Sequence, residues 1–472
     1  MEKYGLYING EWVYTEVKGT VVNKATGEVV AEYSQAGDAE VTAAVTAAAA
    51  AFRTVKLEPY QRFEILCKAS KLLIEQQEDL AVLISREVGK PLKEARGEVA
   101  RAAQTLLLSG EEAKTLTGEM VPLQGAPGNA ERIAMTFRVP VGIVCAITPF
   151  NFPLNLACHK LGPALAAGNT VVFKPASVTA GVGVALCRIL TEAGLPAGCL
   201  NMVLGQGTVV GEALAKDNRI AFYSFTGSVP VGRYLKDAIG FRRISLELGS
   251  NSANIVHSDA DITAAAEACA RFAFVNAGQV CISCQRVYVQ RQVYNEFCHK
   301  AVAFAQTLQI GDPLDSLVDI GPMISPQEAC RAEQWITEAI NGGARLLIGG
   351  KRDGAWLEPT ILTDVRADMK VICEEVFAPV FSIVPYDNIG EAIEQVNDSH
   401  YGLQAGVFTA SLVIAQRCAK ELEVGGVIIN DSATFRTDFM PYGGVKLSGI
   451  GKEGPRYAMR EMTEEKLVVI KF

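Results

Sequence analysis

The chain has 472 residues, 49% hydrophobic and 20% charged, a globular composition long enough for about three domains or two larger ones. Forty-four Lys and Arg against 52 Asp and Glu give a net charge of −8 without a basic stripe, which argues against nucleic-acid binding and for solubility. MEKYGLYINGEW lacks the basic start and apolar core of a signal peptide. Apolar stretches such as VGIVCAITPFNFP are broken by Pro, Asn or Gly well before the ~18 residues of a membrane helix. Twelve irregularly spaced Cys do not suit a disulfide scaffold, so free thiols in a reducing compartment, the cytoplasm, are expected.

In chain order, GLYI and EWVY flank Asn9-Gly10, the favoured type I′ turn, and predict a hairpin. Residues 39–52, AEVTAAVTAAAAAF, read as helix on propensity, and 60–120 continue as helices with mixed faces. Ile133, Met135, Phe137 and Val139 alternate with polar or small residues, a period of two that predicts a strand over 132–139. Residues 466–472, KLVVIKF, predict another at the C-terminus. Both need a partner edge, which is either an intramolecular pairing or an oligomer contact. Between them VGIVCAITP, NTVVFKP, CLNMVLG and RIAFYSFTG are short apolar runs ending in Pro or Gly, with helical stretches such as GVGVALCRILTEAG interleaved. That rhythm predicts an α/β fold with a mostly parallel sheet covered on both faces. A second α/β region is expected over about 250–430.

Several segments carry candidate chemistry. In FYSFTGSVPVG a strand runs into Gly227 and Gly232 and then a helix, an arrangement that lets backbone N–H groups reach a phosphate. Gly205, Gly207 and Gly211 resemble a dinucleotide fingerprint with one residue too many; by spacing alone this is an ordinary turn. Lys174 ends TVVFKP at the carboxyl edge of the expected sheet, where it holds a ribose or phosphate or is simply solvated. Cys281 and Cys284 form a CxxC with three readings: a redox pair, a zinc site completed by Cys298 and His299, or a single nucleophile. Glu247 in SLELGS is one acid among 52. Asn151, between aromatic residues and prolines in PFNFP, is either a fixed amide donor for an oxyanion or a turn residue.

PFNFP, VVFKPAS, SFTGSVPVG, LELGS, FVNAGQVC, EEVFAPV and PYGGVKLSGIGKEG, in that order over essentially the whole chain, resemble the aldehyde dehydrogenase superfamily. The resemblance implies a Rossmann-type cofactor domain from 1–121 and 141–249, a catalytic domain over 250–452, and oligomerisation strands in 122–140 and 453–472, in a dimer or tetramer. It implies NAD or NADP as cofactor and no metal. Cys281 is then the nucleophile, with Cys284 structural, Asn151 and the Cys281 N–H hold the oxyanion, and Glu247 activates the water that releases the acid. Lys174 contacts the adenosine ribose, Gly227, Ser228 and Gly232 the pyrophosphate, and Glu375 and Phe377 the nicotinamide ribose and ring. Thr148, Pro149, Ser177, Gly207, Gly211, Phe225 and Leu248 complete the cofactor set. Strongly NAD-selective members often carry Glu where this chain has Ser177, so NADP is expected to be accepted beside NAD. Ser250 and Ala378 depart from the family's usual glycines, which leaves turnover open to change but does not imply inactivity.

For substrate, His159 follows Asn151 along a helix, Arg436 precedes PYGG, and Arg101 sits on an early helix expected to face the same funnel. The combination resembles members acting on short polar C2–C3 aldehydes, such as lactaldehyde, glyceraldehyde 3-phosphate and phosphono- or sulfo-aldehydes, whose anionic groups suit arginine forks. The alternatives are a general aliphatic or semialdehyde dehydrogenase, an acylating enzyme, disfavoured by Glu247, and a non-catalytic binding protein of the same fold.

Overall fold

The computed structural model describes residues 1–472. Apolar runs of five to seven residues, too short for helices and flanked by Gly or Pro, form the buried centre of an eight-stranded sheet. In space its order is Gly449–Ile450, Arg243–Glu247, Ile220–Thr226, Ile143–Ile147, Thr170–Lys174, Leu200–Met202, Leu6–Ile8, Glu11–Val13. The five inner strands are parallel and the two ends are antiparallel. The parallel part of the sheet starts in the middle at Ile143–Ile147, builds outward through Thr170–Lys174 and Leu200–Met202, then jumps back to Ile220–Thr226. The order therefore reverses between Ile143–Ile147 and Ile220–Thr226, and a ligand crevice is expected beyond their carboxyl ends, at Thr148 and Gly227.

The N-terminal hairpin forms as expected: Asn9 (φ 54°) and Gly10 (φ 85°) are both left-handed, as a type I′ turn requires. Helices span Asp38–Thr54, Pro59–Glu75, Gln77–Val88 and Leu92–Ala113. The last packs against Asn155–Ala166, a helix with every residue buried. The extra residue between Gly207 and Gly211 is absorbed by a single π-turn, which leads into the helix Glu212–Lys216.

A second, seven-stranded sheet runs Arg345–Ile348, Thr360–Thr363, Val380–Tyr386, Arg286–Gln290, Ala253–Val256, Gln404–Phe408, Gly426–Ile429, parallel throughout except for its first strand. Gly449–Ile450, far along this second region, returns to pair with Leu246 and Glu247. The two long strands read from the sequence pair with each other: Arg132–Pro140 lies antiparallel to Thr463–Lys471, with Met120–Val121 on its other edge. Leu467, Val469, Ile470 and Phe472 stay exposed on that outlying sheet. All twelve cysteines are free. No helix is long and apolar enough to cross a membrane.

Candidate active site

Strand ends and one strained loop bring the chemistry together. Asp261 caps the helix Ile262–Phe274 by accepting from the Thr263 and Ala264 N–H groups. Asn276 and Ala277 (φ 51° each) and Gly278 (φ 71°) then turn left-handed in succession. Such backbone persists only where its surroundings hold it. The Asn276 N–H donates to Glu94 at 2.9 Å, Gln279 Oε1 accepts from the Ile324 N–H at 2.9 Å, and a Cβ on Gly278 would lie 1.9 Å from the Ala378 carbonyl. This loop ends at Cys281, half-buried.

Asn151 follows the strand Ile143–Ile147 and is 3% exposed. Its Oδ1 accepts from the Phe152 N–H (3.1 Å), and its Nδ2 donates to the Gln279 carbonyl (2.9 Å), which ties the amide to the loop that carries Cys281. The second Nδ2 proton stays free for a ligand. Glu247 closes the strand Arg243–Glu247; it is 3% exposed and neither carboxyl oxygen has a hydrogen-bond partner. Burial, then the Glu453 charge, raise its pKa well above the carboxylate range. Cys281, Asn151 and Glu247 line one cleft of about 1290 Å³.

The CxxC does not act as a unit here. Cys284 is fully buried, its sulfur 2.6 Å from Asn254 Nδ2, whereas the Cys281 sulfur meets the Tyr442 hydroxyl at 2.9 Å. No three His, Cys, Asp or Glu side chains group as a metal site needs.

The same cleft continues past the sheet ends, lined by Pro149, Gly227, Ser228, Leu248, Glu375 and Phe377. The helix Val229–Ala238 opens here with Ser228 as an N-cap that makes no side-chain bond, so its first N–H groups face outward uncapped. Gly232 packs so closely on Leu248 that a Cβ would come within 2.6 Å, which holds this turn against the sheet. Glu375 Oε1 accepts from the Ser250 N–H at 2.9 Å; the carboxyl leans on Gly249, where a Cβ would meet Oε2 at 2.2 Å. Phe377 (φ 50°) stands edge-on to Phe150, centroids 6.1 Å apart. Lys174, 8% exposed, has a pKa lowered by burial that no carboxylate offsets. An uncapped helix N-terminus and a carboxylate in one crevice, with a buried ammonium close by, suit a nicotinamide dinucleotide. Thr148, Lys174, Ser177, Phe225 and Gly232 do not line this cleft, nor do Gly207 and Gly211, which lie on the π-turn. Ser177 Oγ donates to the Gly205 carbonyl (2.9 Å) and accepts from its N–H (3.3 Å), so the loop after Lys174 carries no carboxylate at that position. Neither Ser250 nor Ala378 takes a left-handed conformation, so neither position requires glycine for its backbone.

The three cationic or titratable residues expected near the substrate do not line that cleft. Arg101 and His159 converge on Asp438, Nη2 and Nε2 both 2.9 Å from Oδ1. Desolvation keeps His159 neutral-leaning, with the Arg436 charge adding to the effect, and its Nδ1 is buried without a partner. Arg436 bonds Glu453 at 2.9 Å, stacks 3.7 Å over the Tyr442 ring, and leaves its buried Nε unpartnered. Lys160 reaches the other Glu453 oxygen at 2.8 Å. With two cations beside it, Glu453 overcomes its burial and sits well below the usual carboxylate range, so of the two neighbouring acids Glu247 is the one that holds a proton. Asp438, Glu453, Lys160 and Tyr442 escaped sequence reasoning; Tyr442 and Glu453 lie inside the motif PYGGVKLSGIGKEG, where a hydroxyl and a carboxylate were the available signal.

A doubly wound, Rossmann-type sheet that feeds a cleft with a thiol, an amide and an unpaired carboxyl at its inner end defines a dinucleotide-dependent class of fold. Residues 12–468 match the aldehyde dehydrogenase family, and the chain belongs to it. It is 52% identical over 470 residues to the 3-sulfolactaldehyde dehydrogenase of Priestia aryabhattai, covering 100% of this chain and 98% of that protein. It is 40% identical over 471 residues to the lactaldehyde dehydrogenase of Methanocaldococcus jannaschii, covering 98% and 100%. Among solved structures, glyceraldehyde-3-phosphate dehydrogenase GapN from Methanocaldococcus jannaschii complexed with NADP superposes with a TM-score of 0.93 at 39% identity, covering 97% and 100%. Aldehyde dehydrogenase 21 from Physcomitrella patens in complex with the reaction product succinate gives 0.96 at 37% identity, covering 100% and 98%.

Proposed function

We propose that this aldehyde dehydrogenase oxidises a short C2–C3 aldehyde bearing an anionic group, with 3-sulfolactaldehyde the best candidate, to its carboxylic acid with NAD(P)+. The observation that carries this reading is the 52% identity, end to end, with a 3-sulfolactaldehyde dehydrogenase. Beside it, Arg436 lies one tyrosine ring behind the Cys281 sulfur, one of two cations around the single Glu453 carboxylate, so their charge favours an anionic substrate through its field and not by direct contact.

In this mechanism the Cys281 thiolate adds to the aldehyde carbon. The free Asn151 N–H and the Cys281 backbone N–H hold the oxyanion; one such donor contributes about 2.7–4 kcal/mol of barrier lowering. The dinucleotide, when bound, supplies the hydride acceptor. Cys281 is left as a thioester, and Glu247, unpaired and facing the same cleft, takes a proton from the water that hydrolyses it. The exposed apolar residues of the terminal sheet support assembly into a dimer or tetramer, and the twelve free thiols support a reducing, cytoplasmic setting.

3-Sulfolactaldehyde and lactaldehyde differ only by the sulfonate and so form a matched pair. The sulfonate is expected to raise kcat/KM about 10-fold, the effect of roughly 1.4 kcal/mol of attraction to the nearby cations. Equal values, or a preference for long alkyl aldehydes, reject the anion site. For the cofactor, Ser177 places nothing negative near a 2′-phosphate, so kcat/KM for NADP+ is expected within about tenfold of that for NAD+. Rejection of NADP+ by about 10³, or 4 kcal/mol, overturns that expectation.

A further inference from the structure

We propose that Tyr442 is a further catalytic residue: its hydroxyl, 2.9 Å from Cys281 Sγ and clamped beneath the Arg436 guanidinium, donates a hydrogen bond that stabilises the attacking sulfur as thiolate. The proposal rests on Cys281 being the nucleophile.

Tyr442 is held from three sides. Its backbone exchanges hydrogen bonds with that of Glu453, N–H to carbonyl in both directions at 3.1 and 2.6 Å. The Glu453 carboxylate grips Arg436 at 2.9 Å, and Arg436 lies flat on the tyrosine ring with 3.7 Å between guanidinium carbon and centroid. Lys160 anchors Glu453 from below at 2.8 Å. The ring is 2% exposed and packs with Val280, Ile282 and Leu403, which restricts its movement. A phenylalanine would fill the same space, so packing does not explain the oxygen.

Chemistry fixes the direction of the bond. Once the thiol has lost its proton its sulfur has only acceptor capacity, and the phenol must be the donor. Burial, then the Cys281 charge, keep the phenol protonated, its pKa raised well above normal despite the nearby Arg436. On the thiol, burial pushes the pKa up to about 11; the Tyr442 bond and the Arg436 charge oppose this, while Glu375 and Glu247 add to it. A nucleophile that faces two acids gains from a local donor, and Tyr442 is the one in contact. Tyr442 does not accept the thiol proton; it offers its own in a hydrogen bond, so no bond in the phenol breaks.

Alkylation of Cys281 by iodoacetamide, followed by intact mass and peptide mapping across about pH 6 to 9, tests this without substrate. Below the thiol's pKa the rate follows the thiolate fraction. Y442F is therefore expected to slow alkylation about 3- to 10-fold at every pH, a shift of roughly one unit less the greater nucleophilicity of the more basic thiolate. Replacing Tyr442 with 3,5-difluorotyrosine, whose hydroxyl is a stronger donor, is expected to speed alkylation and leaves the packing nearly unchanged. Rates unaltered by either change, or altered in the same direction by both, overturn the role of Tyr442. No alkylation of Cys281 in any form instead defeats the nucleophile reading beneath it.

Discussion

Cys281→Ala is expected to lose dehydrogenase turnover by at least about 10⁴-fold while folding normally, because it removes the group that bonds to the aldehyde carbon and leaves nothing to take its place. Cys281 is half-buried at the end of a loop that Glu94, Asn151 and Ile324 hold in shape through other residues, so its own side chain supports little structure. The paired substitution sharpens the result. Cys284→Ala leaves turnover within a few-fold of wild type and costs on the order of 1 kcal/mol of stability, since its sulfur is enclosed against Asn254 and away from the cleft. A redox or zinc CxxC predicts equal damage from both. Turnover measured with saturating aldehyde, beside Tm for each variant, separates the two.

Glu247→Gln is expected to divide the reaction in half. The first turnover, read as a burst of reduced nicotinamide, survives; steady-state kcat falls about 10²- to 10⁴-fold, the usual weight of a general base. The buried carboxyl has no hydrogen-bond partner to lose, so the amide is tolerated structurally. Its raised pKa has a kinetic consequence. Protonated Glu247 cannot take a proton from water, so where hydrolysis limits turnover, kcat of the wild type rises with pH as the carboxyl ionises. The glutamine variant loses that limb, which a pH profile of kcat checks directly. A wild-type kcat that is flat with pH, or a variant without a burst, contradicts the assignment.

How far the sequence reached depended on whether the information was local. The Asn9-Gly10 hairpin and the buried parallel strands follow from turn chemistry and short apolar runs, and both formed where read. Cys281, Asn151 and Glu247 were legible only through seven motifs taken together; each alone was an ordinary Cys, Asn or Glu. What stayed hidden is what long-range packing creates. Asp438 meets His159 across 279 positions and Arg101 across 337, and Tyr442 meets Cys281 across 161. No periodicity encodes such pairs. Sequence alone leaves Arg101, His159 and Arg436 able to face a substrate; in the structure each meets a buried carboxylate, because pairing offsets the cost of burying polar and charged groups. The π-turn at Gly207–Gly211 was equally hidden, because spacing rules assume α-helical geometry.

The central claim is that a thioester forms on one particular sulfur and that one particular carboxyl disposes of it. Rapid mixing of Glu247→Gln with aldehyde and NAD(P)+, acid quench, and peptide mass mapping reads that species directly. The acyl mass of the substrate is expected on the peptide containing Cys281, near one per chain, with none on Cys284. Acyl mass on another residue, or its absence while reduced nicotinamide accumulates, contradicts it.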